Sequence, residues 1–257
     1  GWNPGLYDAD SFYAQDPHGF FVGRLNDEVI GCCSAVTYEQ DFAFFGSYVV
    51  KEGYRDQGYG IQMTRHRLAY VGSRLTGLDG VLNMCDKYAN LGFRPAHMNI
   101  RQAGLSPIHS VEIDPHVFNL QEDMLPDVFA YDRLYFPAAR PQFLEQWLRP
   151  PAGKVFVYIE KNDIQGYGVI RQCYTGHKIG PLFAETPAIA EKILQALLST
   201  IPGEPFFLDT PEPNQHALAL ADSYNAKPSF KTLRMYLHGQ PDVNLNNVFG
   251  ITSFELG

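Results

Sequence analysis

The sequence predicts a layered α/β protein in which one unit, a mixed and mostly antiparallel sheet flanked by helices, occurs twice in tandem. Three observations predict this. A hairpin pattern recurs at a fixed offset, the same order of elements follows each hairpin, and a polar, Pro-containing segment lies between them.

The first hairpin reads from Phe21 to Gly31 and the second from Phe156 to Gly166, an offset of 135 residues with no gap. In each, a β-rich run meets a short polar turn, Asn26-Asp27 or Lys161-Asn162-Asp163, and a second β-rich run follows. After the first hairpin, residues 43–50 (AFFGSYVV) form an aromatic and β-branched strand. A loop over 51–57 leads into a helix from about Gly58 to Arg74, a short strand over 81–84, and a short helix over 86–90 ending at Gly92. After the second hairpin the pattern gives a strand over 178–183, a helix over 188–198, a strand over 206–209 and a helix over 214–223. Both halves therefore read β-β-β-α-β-α. The boundary falls within 118–128, where Gln121 to Pro126 has linker composition, giving units 1–120 and 124–257. An amphipathic helix over 140–149 opens the second unit. The first shows no counterpart, which points to a strand and a helix absent from its N-terminal side.

Composition narrows the function. The 257 residues carry a formal net charge of −8, and both 1–120 (9 basic, 13 acidic) and 121–257 (11 basic, 15 acidic) stand at −4. Nucleic-acid binding, which needs clustered Lys and Arg, is disfavoured. A cationic substrate is compatible with this charge. No apolar run reaches the ~18 residues of a membrane helix, and no signal peptide is visible, although the chain opens at Gly1 and not at Met. The four cysteines form no CxxC, and none of the eight histidines falls in HExxH spacing, so no metal site is expected. Sparse cysteines fit a reducing, cytoplasmic setting. Cys32 and Cys33 read as buried strand residues and not as nucleophiles.

The segment with the clearest chemistry is Val50-Lys51-Glu52-Gly53-Tyr54-Arg55-Asp56-Gln57-Gly58-Tyr59-Gly60. A strand enters a glycine-containing loop and a helix leaves it. The first N–H groups of a helix lack intrahelical partners, and the helix dipole makes that end positive. Glycines let a pyrophosphate approach the backbone. The spacing is neither the Walker pattern nor the dinucleotide GxGxxG.

This segment resembles the signature of the GNAT acetyltransferase family: a strand ending in an apolar residue, about five residues, then Arg or Gln-x-x-Gly-x-Gly or Ala. Val50 followed by Arg55-Asp56-Gln57-Gly58-Tyr59-Gly60 fits. Glu52 departs from it, because the family often has Pro there. A second match is Tyr88-Ala89-Asn90-Leu91-Gly92-Phe93, similar to the Tyr that precedes a Gly-Phe pair in many members. The resemblance implies a fourth strand, here 44–50, that splays from the fifth at a bulge. It implies acetyl-CoA as co-substrate, its pantetheine arm pairing with Tyr48, Val49 and Val50 and its pyrophosphate lying on the N–H groups of Arg55, Asp56, Gln57, Gly58, Tyr59, Gly60 and Ile61. It further implies direct acyl transfer to an amine, with Tyr88 as the general acid for the leaving thiolate. A backbone N–H near Val49 or Val50 would stabilise the oxyanion. Glu39, Asp41 and Asp86 are the carboxylates nearest in sequence for a general base, and each also reads as a solvated turn residue.

The second half lacks both motifs. Residues 179–188 have one glycine, with Glu185 where a phosphate would sit and Pro187 at a helix start. Asp222 stands where the Tyr would be. This half resembles the degenerate C-terminal domain of tandem GNAT proteins, and Asp209, Glu212 and Glu255 are carboxylates able to serve a cationic acceptor. A small-molecule amine is the expected acceptor. A protein or peptide N-acetyltransferase and a non-catalytic acyl-CoA sensor are the alternatives. The acceptor's identity and the oligomeric state are open at this point.

Overall fold

The computed structural model describes residues 3–109 and 112–257. The first half runs α1 (Asp8–Gln15), β1 (Phe20–Leu25), β2 (Glu28–Tyr38), β3 (Phe42–Val50), α2 (Tyr59–Val71), β4 (Leu75–Val81), α3 (Cys85–Ala89) and β5 (Arg94–Leu105). The second runs β6 (Val117–Asn119), α4 (Leu125–Asp132), α5 (Pro141–Trp147), β7 (Gly153–Glu160), β8 (Asp163–Gln172), β9 (His177–Ala184), α6 (Pro187–Ser199), β10 (Pro205–Pro211), α7 (Gln215–Ser223), β11 (Lys227–Leu237) and β12 (Val248–Gly250). The order β-β-β-α-β-α-β is thus present in both halves.

The hairpin turns form for the reason their residues suggest. Asn26 and Asp27 sit at φ 49° and 68°, and Lys161 and Asn162 at 55° and 67°. Paired left-handed residues match the twist of the flanking strands, and Asn and Asp tolerate that conformation best.

The twelve strands among the described residues join one sheet, in the order β1-β2-β3-β4-β11-β5-β10-β9-β8-β7-β6, with β12 on β9. The two halves exchange strands at its centre. β11, from the second half, lies between β4 and β5 and pairs antiparallel with both. β5 in turn pairs with β10 along its length. An aromatic core of Phe12, Phe42, Phe44, Phe136, Phe143, Trp147 and Phe183 spans both halves. In it, Phe12 of α1 stacks on Phe143 and Trp147 of α5, with ring centroids 6.5 and 5.9 Å apart.

Several expectations need correction. The strand placed at 81–84 is Leu75–Val81, and Leu82–Met84 is a 3-10 turn. Its glycines hid it. A Cβ on Gly77 would stand 2.9 Å from the Phe44 ring, so the small residue reflects close packing. The preceding helix stops at Val71 because Gly72 turns left-handed, φ 61°. The segment read as linker is ordered, with a 3-10 turn at Glu122–Met124 leading into α4. The first half does have a helix before its hairpin, α1, which packs on α5.

Candidate active site

The backbone at the end of β3 creates a slot. β3 pairs with β2 from Tyr38↔Phe42 to Gly31↔Val50. On its other side it pairs with β4 only from Phe42↔Leu75 to Phe45↔Leu78. Beyond that point β4 continues alongside β11, from Asp79↔Arg234 to Val81↔Thr232. The divergence coincides with a bulge: the β2–β3 register slips between Cys32 and Ser34, and Ser47 sits at φ 48°. A bulge adds a residue and bends its strand. Residues 46–50 are left with one edge facing no strand. Exposed apolar side chains flank the opening, Val49 on β3 and Val81 and Leu82 at the end of β4.

β3 delivers the chain into residues 51–58. Lys51 Nζ and Tyr54 Oη donate to the Glu28 carboxylate at 2.8 and 2.7 Å, tying the loop to β2. Arg55 Nε donates to the Val50 carbonyl at 3.0 Å, and Gln57 Nε2 to the Gly53 carbonyl at 2.9 Å. Asp56 and Gly58 are left-handed, φ 59° and 86°. The loop therefore arrives at the N-terminus of α2 with a fixed shape.

Gly58 is the N-cap of α2, with no side-chain cap, and a Cβ there would meet no atom within 4 Å. The leading N–H groups of a 13-residue helix are thus left without a side-chain cap, and no acidic residue stands in the first turn. Gly60 has a different use. A Cβ there would strike the Tyr48 hydroxyl, so this glycine lets β3 pack against the helix. The slot, the open Gly58 and the positive helix end together fit an extended chain ending in a pyrophosphate.

Tyr88, on α3, borders the slot. Its ring lies against Gly80 of β4, where a Cβ would stand 3.3 Å away, and meets Phe93 edge-on at 6.0 Å. The Gly92-Phe93 pair closes the helix: Gly92 is left-handed, φ 99°, and Phe93 N–H donates to the Tyr88 carbonyl at 3.1 Å. Burial pushes the phenol pKa up, while the Arg67 guanidinium pulls it down. The net direction is upward, so the hydroxyl stays protonated at neutral pH, as an acid requires.

Arg67 went unnoticed in the sequence. It lies on the buried face of α2 with Thr64 and Val71 and is 1% exposed. Its guanidinium carbon is 4.3 Å from the Phe45 ring centre and 4.7 Å from that of Tyr48. The 64–67–71 spacing was the available signal, because it places an arginine on an inward stripe.

Comparison with known proteins places the chain in a family. The acetyltransferase (GNAT) family model matches residues 1–93, and the acetyltransferase (GNAT) domain model matches 128–250. The chain belongs to the GNAT acetyltransferase family. A curated relative, the holothin acyltransferase of Pseudoalteromonas sp. (strain SANK 73390), is 28% identical over 100% of this chain and 87% of its own length. Among solved structures, a Pyrococcus horikoshii protein described as an acetyltransferase superposes with TM-score 0.81 at 25% identity, over 97% of this chain and 84% of the other. A tandem GNAT protein from the clavulanic acid biosynthesis pathway shares the fold, TM-score 0.64 at 13% identity, over 93% and 90%.

The second GNAT half shows what became of the equivalent slot. β9 and β10 pair in parallel only from His177↔Phe206 to Ile179↔Leu208. Past that point the gap holds β12, with Val248↔Phe183 and Gly250↔Leu182, and Ile251 N–H donates to the Asp209 carbonyl at 2.9 Å. Only Glu185 and Thr186 separate β9 from α6, against 51–58 in the first half. Thr186 caps Ile189 N–H at 3.3 Å, and the Glu185 carboxylate accepts from Tyr135 Oη. Asp222, in the place of the tyrosine, is exposed and paired with Lys227 at 2.7 Å.

The other named residues distribute as follows. Glu39 and Asp41 are exposed at the far end of β3 from the slot, and Asp86 is exposed on α3. Cys32 donates to the Ser47 carbonyl at 3.6 Å, and Cys33 is buried. Asp209 is held by Arg101 through two contacts of 2.7 Å, and Glu212 is exposed. Glu255 is buried in a C-terminal segment whose backbone fills the space beside Gly46. Among the described residues no group of His, Cys, Asp and Glu could hold a metal, and no helix is long and apolar enough to cross a membrane.

Proposed function

We propose that this chain transfers the acetyl group of acetyl-CoA to a small-molecule amine by direct attack, in one site formed by the first half. The observation that carries this reading is the unpaired edge of residues 46–50 running into the open N-terminus of α2. The edge offers backbone partners to the pantetheine amides through Tyr48, Val49 and Val50. The N–H groups of Arg55 to Ile61 receive the pyrophosphate, with Asp56, Gln57, Gly58, Tyr59 and Gly60 forming the turn between. Val49, Val81 and Leu82 cover the arm and limit water.

In the reaction the neutral acceptor nitrogen bonds to the thioester carbon, and a backbone N–H near Val49 or Val50 takes the developing oxyanion. The carbon–sulfur bond breaks with its electron pair on sulfur. Tyr88 gives that sulfur its phenolic proton, the nitrogen loses a proton to solvent, and the phenolate is then reprotonated from solvent. The acceptor class draws support from the relatives: one is named for acyl transfer involving holothin, the other for a biosynthesis pathway.

Thiol release from acetyl-CoA across a panel of small amines tests the proposal. Tyr88→Phe is expected to lower kcat by about 100-fold or more with KM for acetyl-CoA nearly unchanged. An unchanged kcat would remove Tyr88 from the mechanism. Binding of acetyl-CoA without turnover of any amine, while a peptide N-terminus is acetylated, would replace the acceptor class.

A further inference from the structure

Five arginines are buried among the described residues: Arg67, Arg101, Arg140, Arg171 and Arg234. Four of them hold a carboxylate at 2.7 Å, namely Asp209, Asp132, Asp8 and Asp79. Arg67 holds none. Its Nη2 donates to Thr64 Oγ1 at 3.3 Å, and its Nε has no hydrogen-bond partner. A buried charge without a counterion costs several kcal/mol unless something offsets it, and aromatic faces offset only part. An apolar side chain would fill the same space without that cost. The exception among the five is also the one that borders the acyl-donor slot.

The surroundings show what the charge faces. Phe45 lies under the guanidinium, its ring 5.7 Å from that of Phe93, and Phe93 packs on Tyr88. The titratable groups acting on Tyr88 are Arg67 from α2, Tyr48 from β3 and Cys85 from its own helix, while Gly80 of β4 and Phe93, just ahead of β5, present only carbon. Arg67 is the cation among them. It also acts on the thiol of Cys33 in β2, whose pKa burial raises.

We infer that Arg67 is the positioning residue for Tyr88: its guanidinium, buried against the Phe45 and Tyr48 rings with no carboxylate beside it, is the fixed cation that meets the negative charge left on the phenol oxygen once its proton has gone to the departing sulfur. The inference rests on Tyr88 being the acid. The counterion that Arg67 lacks in the resting protein is then the charge that appears during turnover, which is the arrangement that lowers a barrier instead of a ground state.

The test is a double-mutant cycle on acetyl transfer, with fold checked by circular dichroism. Arg67→Met, which keeps an apolar side chain of similar length, is expected to lower kcat at least tenfold with KM for acetyl-CoA within about threefold of wild type. Arg67→Lys, which keeps the charge, should recover a substantial part. On the Tyr88→Phe background, Arg67→Met should change kcat less than twofold, because the charge it serves no longer forms. Equal losses on both backgrounds, or wild-type kcat in folded Arg67→Met, would overturn the inference. If Arg67→Met fails to fold, the same comparison with Arg67→Lys decides, and no difference between its two backgrounds overturns it. Full activity in Tyr88→Phe alone would instead overturn the reading on which the inference rests.

Discussion

Gly58 combines a left-handed backbone with empty space where a side chain would point. Both features fit the proposed place where the pyrophosphate would meet the helix end. A β-branched residue there costs about 1–2 kcal/mol in backbone strain and puts methyl groups into the open space proposed for the phosphate. Gly58→Val is expected to weaken acetyl-CoA binding at least tenfold in a protein that stays folded, measured by calorimetric titration. Unchanged affinity would refute the cradle. Arg-x-x-Gly-x-Gly was legible in sequence because the turn into α2 is made by backbone, with Asp56 and Gly58 left-handed, and such turns need particular residues at particular spacings. Arg67 was passed over despite its 64–67–71 spacing, because an arginine within a polar-looking helix reads as surface. Only the fold shows that Phe45 and Tyr48 cover it. The motif also hid a division of labour: Gly58 leaves room for a ligand, and Gly60 leaves room for Tyr48.

At the level of elements, the two halves differ in what fills the gap beside their third strand. β12 is only Val248–Gly250, too short for alternation to reveal, so the sequence reading missed it. Asn214 holds it in place. Its Nδ2 donates to the carbonyls of Leu245, Asn246 and Val248 at 3.1, 3.1 and 2.9 Å, and its Oδ1 caps α7 by accepting from Ala217 N–H at 3.1 Å. Losing the cap costs about 1 kcal/mol, and the released carbonyls add a similar amount. Asn214→Ala should therefore destabilise the protein by roughly 2 kcal/mol and lower Tm by about 5 °C, with donor affinity retained. A Tm within about 1 °C of wild type would show that β12 is held by other contacts. The hairpins, in contrast, were readable from their turns, because Asn26-Asp27 and Lys161-Asn162 supply the left-handed pairs such turns need.

For the whole molecule, the repeat was readable but the join was not. Alternation marks a strand and says nothing of its partner when that partner is more than a hundred residues away. Arg234 on β11 reaches Asp79 on β4 at 2.7 Å, and Arg101 on β5 reaches Asp209 on β10, so buried ion pairs lock the exchange from both sides. Breaking such a pair typically costs 3–5 kcal/mol. The same elements end differently in the two halves. The first keeps its slot open and its helix end bare. The second fills its slot with its own chain and sends the following residues to Gly46, beside the bulge. The central claim is that this tandem GNAT chain has one donor site, in its first half. Calorimetric titration of the intact protein with acetyl-CoA measures that directly. The account predicts one molecule bound per chain, with that binding lost in Gly58→Val. Two molecules per chain, or one that persists in Gly58→Val, would contradict it.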